Sequence, residues 1–227
     1  MLLRNWMTQN VITVDANDSV VNATKKLKEN NIRMLPVIKK GKLVGIVTDR
    51  DLKRASASNA TTLEVHELLY LISKIKVKDI MTKKPITVPF DFTIEEAAEI
   101  LMKNKISGVP VVDGRNQISG IVTQNDLFRA MISLAGLKSR GVQFAFQIDD
   151  RSGSIKEIAD IVRKYGGRMA SILSSYDRVQ EGYRKVYMRM YGIDRLRIPQ
   201  LKEDLKEKAT LLYMVDLREN IREVYAL

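Results

Sequence analysis

The stretch Gly45–Ala55, GIVTDRDLKRA, returns 75 residues later as Gly120–Ala130, GIVTQNDLFRA. Each begins with an apolar run of strand character, ends that run on a threonine, and passes directly into a helix-like segment. The Thr-x-x-Asp at the junction fits a cap, in which the hydroxyl serves the first helical turn and an acid three residues on reaches back. Reading outward, WMTQNVITV (6–14) aligns with IMTKKPITV (80–88), with Met7 on Met81 and Pro36 on Pro110, both offset by 74. The extra residue that makes the later offset 75 lies in the turn DGRNQ (113–117). The chain carries a duplication, and any fold assignment starts from it.

Each copy reads as β-α-β-β-α. Short strands are expected at Ile12–Val14 and Ile86–Val88, followed by helix starts at Asp18-Ser19 and Asp91 to Thr93. The helix over Val20–Asn30 sets Val20, Ala23, Thr24 and Leu27 on one face, and its counterpart uses Ile94, Ala97, Ala98 and Leu101. Strands through Pro36-Val37-Ile38 and Pro110-Val111-Val112 come next, then strands Leu43–Val47 and Ile118–Val122, then closing helices from Thr48 and Thr123. A unit of about 50–60 residues buries too little surface to be comfortably stable alone, so two copies are expected to pack as a pseudo-twofold pair with two equivalent clefts. Between them, SASNATTLEVHELLYLISKIKV (56–77) reads as a polar stretch and a helix, with Leu63, Leu68, Leu69, Ile72 and Ile75 available to pack back.

With both copies complete, residues 1–135 resemble a pair of CBS domains, the Bateman module. The remainder does not continue the repeat. RGVQFAFQID (140–149), RMASILSSYDRV (168–179), YRKVYMRMYGI (183–193) and TLLYMVDL (210–217) read as strands. The segment after Asp149 is a helix ended by Gly166-Gly167, and IPQLKEDLKEKA (198–209) is a second helix with Pro199 near its start. This β-α-β-β-α-β order is ferredoxin-like, and the segment resembles an ACT domain. It departs from that family's pattern at Ser152, where ACT domains often have proline, and at Arg168-Met169. The fold class expected is α+β, divided into repeat 1 (1–56), a linker helix (57–76), repeat 2 (77–135), an ACT-like domain (139–218) and a C-terminal tail (219–227). The whole resembles the CBS–ACT proteins of the acetoin-utilization type.

Composition narrows the chemistry. The 227 residues are 45% hydrophobic and 29% charged, as in an ordinary soluble protein. No apolar run approaches the roughly 18–20 residues that span a bilayer, and MLLRNWMTQN does not read as a signal peptide. A cytoplasmic protein without membrane partners is the expectation. There are no cysteines, and His66 is the single histidine, in HELLY (66–70), so thiolate chemistry and a His-rich metal site are excluded. No P-loop or dinucleotide fingerprint occurs. The expected protein is therefore non-catalytic, with no catalytic cofactor or metal.

The formal charge of +11 is spread over both halves, 20 basic against 14 acidic residues in 1–137 and 18 against 13 in 138–227. Spread basicity suits an anionic ligand. The alternative is a nucleic-acid-binding regulator, for which YRKVYMRMY (183–191) is the strongest feature, although it lacks a recognition signature.

Thr-x-x-Asp carries the functional expectation. A strand ending at a helix start aims backbone N–H groups and the positive helix end into a cleft, and an aspartate there can accept both hydroxyls of a ribose. The resemblance to CBS pairs implies adenine nucleotide binding through Thr48 and Asp51, and through Thr123 and Asp126. Ile12, Met34 and Pro36 in copy one, and Ile86, Val109 and Pro110 in copy two, are expected as apolar walls, with Leu35 beside the first set. Arg33 and Arg50 are expected at phosphate, with Lys105 as a further candidate. Copy two has Ser107 and Asn125 in place of the two arginines, so the first cleft should favour phosphates more. The ACT resemblance implies a small ligand at Asp149, Asp150, Gly153 and Ser154. A homodimer and a regulated partner of unspecified identity complete the expectation.

Overall fold

The computed structural model describes residues 1–57, 70 and 73–225. Most of the linker helix expected over 57–76, including His66, lies outside the described residues. Two units divide the chain, Met1–Phe128 and Arg129–Leu227.

In the first unit, copy one comprises β1 (Val14–Asp15), α1 (Val20–Glu29), β2 (Met34–Lys39), β3 (Lys42–Thr48) and α2 (Asp49–Ala57). A short helix α3 (Val77–Ile80) and strand β4 (Thr82–Lys83) lead to copy two: β5 (Val88–Pro89), α4 (Ile94–Asn104), β6 (Gly108–Val112), β7 (Ile118–Thr123) and α5 (Gln124–Leu134), a helix in which the division between units falls. The β-α-β-β-α order holds in both copies. The first strands start later than Ile12 and Ile86, at Val14 and Val88, because only there do the backbones reach parallel register with Val37 and Val111.

Local chemistry accounts for the helices. Ser19 caps α1 by accepting from Asn22 N at 3.1 Å. Thr93 caps α4 in a reciprocal box, accepting from Glu96 N while Glu96 takes the Thr93 N–H at 2.7 Å. The faces that go inward are those read from spacing: Val20, Ala23 and Leu27 on α1, and Ile94, Ala97 and Leu101 on α4, are all buried. In β3, Leu43, Gly45 and Val47 alternate inward, as a half-buried strand requires.

The segment preceding each copy packs on the other copy. Thr82 pairs with Ile46 of β3, and Thr8 bridges to Ile121 of β7. Val77 N donates to Asp18 O at 2.9 Å and Leu3 N to Phe92 O at 2.7 Å, so Val77 and Leu3 cover equivalent helix starts. At the strand crossings, a Cβ placed on Gly45 would lie 2.5 Å from Met81 Sδ, and one on Gly120 would lie 2.5 Å from Met7 Sδ. Glycine at both positions thus opens the gap that each methionine fills. The repeated Met-Thr and Gly-Ile-Val-Thr are the two halves of one exchanged contact, which ties the copies about a pseudo-twofold axis.

The second unit runs β8 (Val142–Asp149), α6 (Ser154–Lys164), β9 (Arg168–Ser175), β10 (Tyr183–Tyr191), α7 (Ile198–Lys206), β11 (Thr210–Asp216) and β12 (Ile221–Val224). Its sheet is antiparallel throughout in the order β12-β11-β8-β10-β9. Phe144, Phe146, Ile148, Val186, Met188 and Met214 point from the sheet into a core closed by Ile158, Ala159 and Val162 of α6 and by Leu201 and Leu205 of α7. The expected tail 219–227 is corrected in part. Ile221–Val224 forms β12, pairing Ile221 with Asp216 and Val224 with Tyr213. The strand hides in the sequence because IREV alternates weakly; backbone pairing with β11, after a turn in which Asp216 accepts from Arg218 N and Glu219 N, creates it.

Candidate functional site

Both Thr-x-x-Asp stretches form the expected caps. Asp51 Oδ2 accepts from Thr48 N at 2.9 Å and from Thr48 Oγ1 at 2.7 Å, while Asp51 N donates to Thr48 Oγ1 at 3.3 Å. In copy two, Asp126 Oδ2 accepts from Thr123 N and Oγ1, both at 2.8 Å. Each threonine thereby aligns its aspartate at the end of a strand and the first turn of a helix. Asp51 spends one carboxylate oxygen on the cap, and among the described residues no hydrogen bond engages its Oδ1. Asp126 is deeper, only 4% exposed, whereas Asp51 is half-buried.

The two caps face a common region. Met34 opens β2 opposite Thr48, and its symmetry mate Gly108 opens β6 opposite Thr123. The end of the Met34 side chain reaches Gly108 itself: a Cβ there would sit 3.0 Å from Met34 Cε. Met34 therefore bridges to copy two, where a wall of copy one alone was expected. Pro36, Val109 and Pro110 are buried in their sheets, Ile12 is half-buried, and Ile86 is 42% exposed.

Arg33 and Asp49 are tied by a backbone bond, Asp49 N to Arg33 O at 3.0 Å, which copy two repeats as Gln124 N to Ser107 O. Beside Arg33 lies a groove of 690 Å³ between α1 and α2, lined by Leu27, Lys28, Arg33, Asp49, Leu52 and Lys53 among others. Thr48 and Asp51 are not on its wall. Lys28 and Lys53 were not anticipated; both are exposed helix residues outside the apolar faces of α1 and α2. Asp49 lies 3.6 Å from Lys53, an exposed pair. Arg50 and Asn125 are exposed. Lys105 ends α4 in the left-handed region, with φ of 53°.

In the second unit, the loop residues expected to hold a ligand already serve one another. Asp150 lies 3.5 Å from Arg184 Nε and accepts from Tyr176 OH at 3.3 Å. Ser154 is buried, accepting from Arg184 at 3.1 Å and donating to Arg151 O. Gly153 caps α6 and Asp149 is exposed. The basic row of YRKVYMRMY is interrupted in the same way. Arg189 is 4% exposed and donates to Ala135 O and Gln143 Oε1, which takes it out of any phosphate-contacting surface.

Residues 3–58 and 77–133 each match the CBS domain family, and the first unit carries the duplicated fold just described. The chain belongs to the CBS-domain family. An uncharacterized protein of Methanocaldococcus jannaschii, MJ1426, is 31% identical over 155 residues, which cover 58% of this chain and 92% of that one. The solved CBS pair of protein MJ0100, in complex with 5′-methylthioadenosine and S-adenosyl-L-methionine, is 35% identical with a TM-score of 0.50, covering 58% of this chain and 95% of its own. A provisionally named acetoin utilization protein (AcuB) from Vibrio cholerae is 25% identical with a TM-score of 0.52, covering 61% of this chain and 95% of that one. The first unit of this protein is thus a tandem CBS pair. No described helix is long and apolar enough to cross a membrane.

Proposed function

We propose that the CBS pair binds an adenosine-containing small molecule between its repeats and that the chain is a non-catalytic, ligand-sensing regulator. The observation that carries this reading is the Thr48–Asp51 cap, which orients a carboxylate at a helix start and leaves one of its oxygens unengaged among the described residues. A vicinal diol of ribose supplies the two hydroxyl donors such an oxygen accepts. The MJ0100 pair, crystallised with two adenosine compounds that differ beyond the ribose, supports assigning the shared adenosine as the recognised part. Thr123 and Asp126 provide the second, deeper clamp, and the apolar residues around Met34 and Val109 receive the base.

The cleft of copy one takes the more anionic ligand. Lys28, Arg33 and Lys53 stand around the groove beside it with one carboxylate, Asp49, whereas Ser107 and Asn125 occupy the matching arginine positions in copy two. The second unit, with its β-α-β-β-α-β order, acts as an ACT-like module, and the protein works as a homodimer in the cytoplasm that passes ligand occupancy to a regulated partner. Calorimetry with adenosine, AMP, ATP, 5′-methylthioadenosine and S-adenosyl-L-methionine tests the reading. Binding should weaken in Asp51→Ala and Asp126→Ala, and the cleft left intact in Asp126→Ala should rank AMP or ATP above adenosine. Undiminished affinity in both folded variants would reduce the aspartates to caps.

A further inference from the structure

A second cavity lies in the C-terminal unit, at the start of β8 and the end of β10. It has a volume of 280 Å³, and its wall includes Arg140, Met190, Tyr191, Arg195 and Arg218. The eight-residue strand β8 separates it from the loop after Asp149 by about 20 Å, so it is a different place from the loop tied up by Arg184. Among the described residues, three guanidinium groups and no carboxylate line it.

The three arginines are not equivalent. Arg195 is anchored from behind: its Nε lies 3.0 Å from Asp216 Oδ2 and its second terminal nitrogen 3.3 Å from Oδ1. Asp216 is 1% exposed, and Glu219 stands 3.5 Å from the same Nε, so the charge of Arg195 is compensated while its position is held. Arg140 and Arg218 are exposed, and among the described residues neither side chain has a hydrogen-bond or ion-pair partner. Three guanidinium charges against two carboxylates leave the cluster net positive by one, with Arg140 and Arg218 as the unpartnered donors among the described residues.

A Cβ on Gly141 would lie 1.9 Å from Met190 O, so the backbone that carries Arg140 is pressed against the end of β10. Val142, Met190, Tyr191 and Ile193 give the remaining wall an apolar character. The volume is below that of ordinary drug-sized pockets, about 300–1,000 Å³, and leaves room for an anionic head with a short organic group.

We propose that this cavity binds a small phosphate monoester, its dianion held by Arg140 and Arg218 against the anchored Arg195. A phosphate monoester, with about −1.5 to −2 charges near neutrality and three acceptor oxygens, can meet both unpartnered guanidinium groups at once, and the guanidinium fork suits its oxygens. A monocarboxylate offers two acceptor oxygens and fills one guanidinium fork, which leaves the other without a partner. The site is separate from the adenosine clefts and gives the second unit a ligand of its own.

Glycerol 3-phosphate serves as the probe, titrated by calorimetry into the full chain, with inorganic phosphate and succinate in parallel. Saturable binding of glycerol 3-phosphate is expected, reduced roughly tenfold by Arg140→Gln or by Arg218→Gln and further by both. Because both side chains are exposed and unpartnered, thermal unfolding of these variants should match the parent, which keeps a loss of binding interpretable. Saturating 5′-methylthioadenosine, which has no phosphate, should not displace the probe. Displacement would put the phosphate in the CBS pair and overturn the proposal, as would parent-like affinity in the double variant or no saturable binding by the parent. Succinate binding as tightly as the ester would refute phosphate selectivity, and inorganic phosphate binding more tightly would refute the monoester.

Discussion

Replacing Asp51 by asparagine and by alanine should separate its two duties. In the native protein Oδ2 accepts both the N–H and the hydroxyl of Thr48, at 2.9 and 2.7 Å. Alanine removes the whole cap, at a cost of about 1 kcal/mol in stability, typical of a lost helix cap. Asparagine keeps an oxygen for Thr48 and should cost less, about 0.5 kcal/mol. The ligand sees the opposite oxygen. If that atom accepts two ribose hydroxyls, alanine forfeits about 2–3 kcal/mol, or roughly 30–150-fold in affinity. Asparagine turns an NH₂ toward the cleft, which can still donate to a hydroxyl but has lost the charge, so a loss of roughly tenfold is expected. Urea denaturation gives the first number and calorimetry with AMP and 5′-methylthioadenosine the second. The expected pattern is near-parent stability with clearly weakened binding for Asp51→Asn. Parent-like binding by Asp51→Asn would show that its outward oxygen meets no ligand and would refute the clamp.

Asp126→Ala should destabilise the CBS pair more than Asp51→Ala, because Asp126 is 4% exposed and the bonds it makes to Thr123 are lost at a more deeply buried carboxylate; chemical denaturation curves compare the two directly. Gly45→Ala forces a Cβ against Met81 and the Thr82 carbonyl, at a cost of about 1–3 kcal/mol. Adding Met81→Ala should return part of that loss, and strict additivity in the double-mutant cycle would contradict the contact. In the second unit, Asp204 accepts from Lys164, Gln200 and Tyr165, and the bonds from Lys164, then Gln200, then Tyr165 hold its carboxyl down to about 2. A depressed folded-state value means that this stabilisation is complete above the ordinary carboxylate pKa near 4 and is lost as pH falls toward 2. An acid titration followed by circular dichroism should show a shallower decline for Asp204→Asn over that interval; an unchanged slope would deny the linkage.

Much of the fold is written in local spacing. Apolar residues at helical intervals on α1 and α4, alternation along β3, and the Thr-x-x-Asp caps depend on neighbours only a few positions away, and sequence periodicity reports such neighbours directly. The duplication added the inference of paired copies, since neither could bury enough surface alone. Distant partners left no comparable trace. That Met7 fills the gap over Gly120, and Met81 the gap over Gly45, follows from strands that meet across the pseudo-twofold axis, so the matched Met-Thr pairs stood in the alignment without their purpose. Met34 was read as a wall for its own repeat, yet packing sends its end to Gly108. Strand β12 exists because β11 offers an open edge, which outweighs the weak preference of Ile221–Val224. Arginine counts show the same division. Composition establishes that the protein is basic, whereas folding buries Arg189, pairs Arg195 with Asp216 and Glu219, and leaves Arg140 and Arg218 exposed with no carboxylate partner among the described residues. Charge is a property of composition; its availability is set by which carboxylates and carbonyls the fold brings within hydrogen-bonding reach.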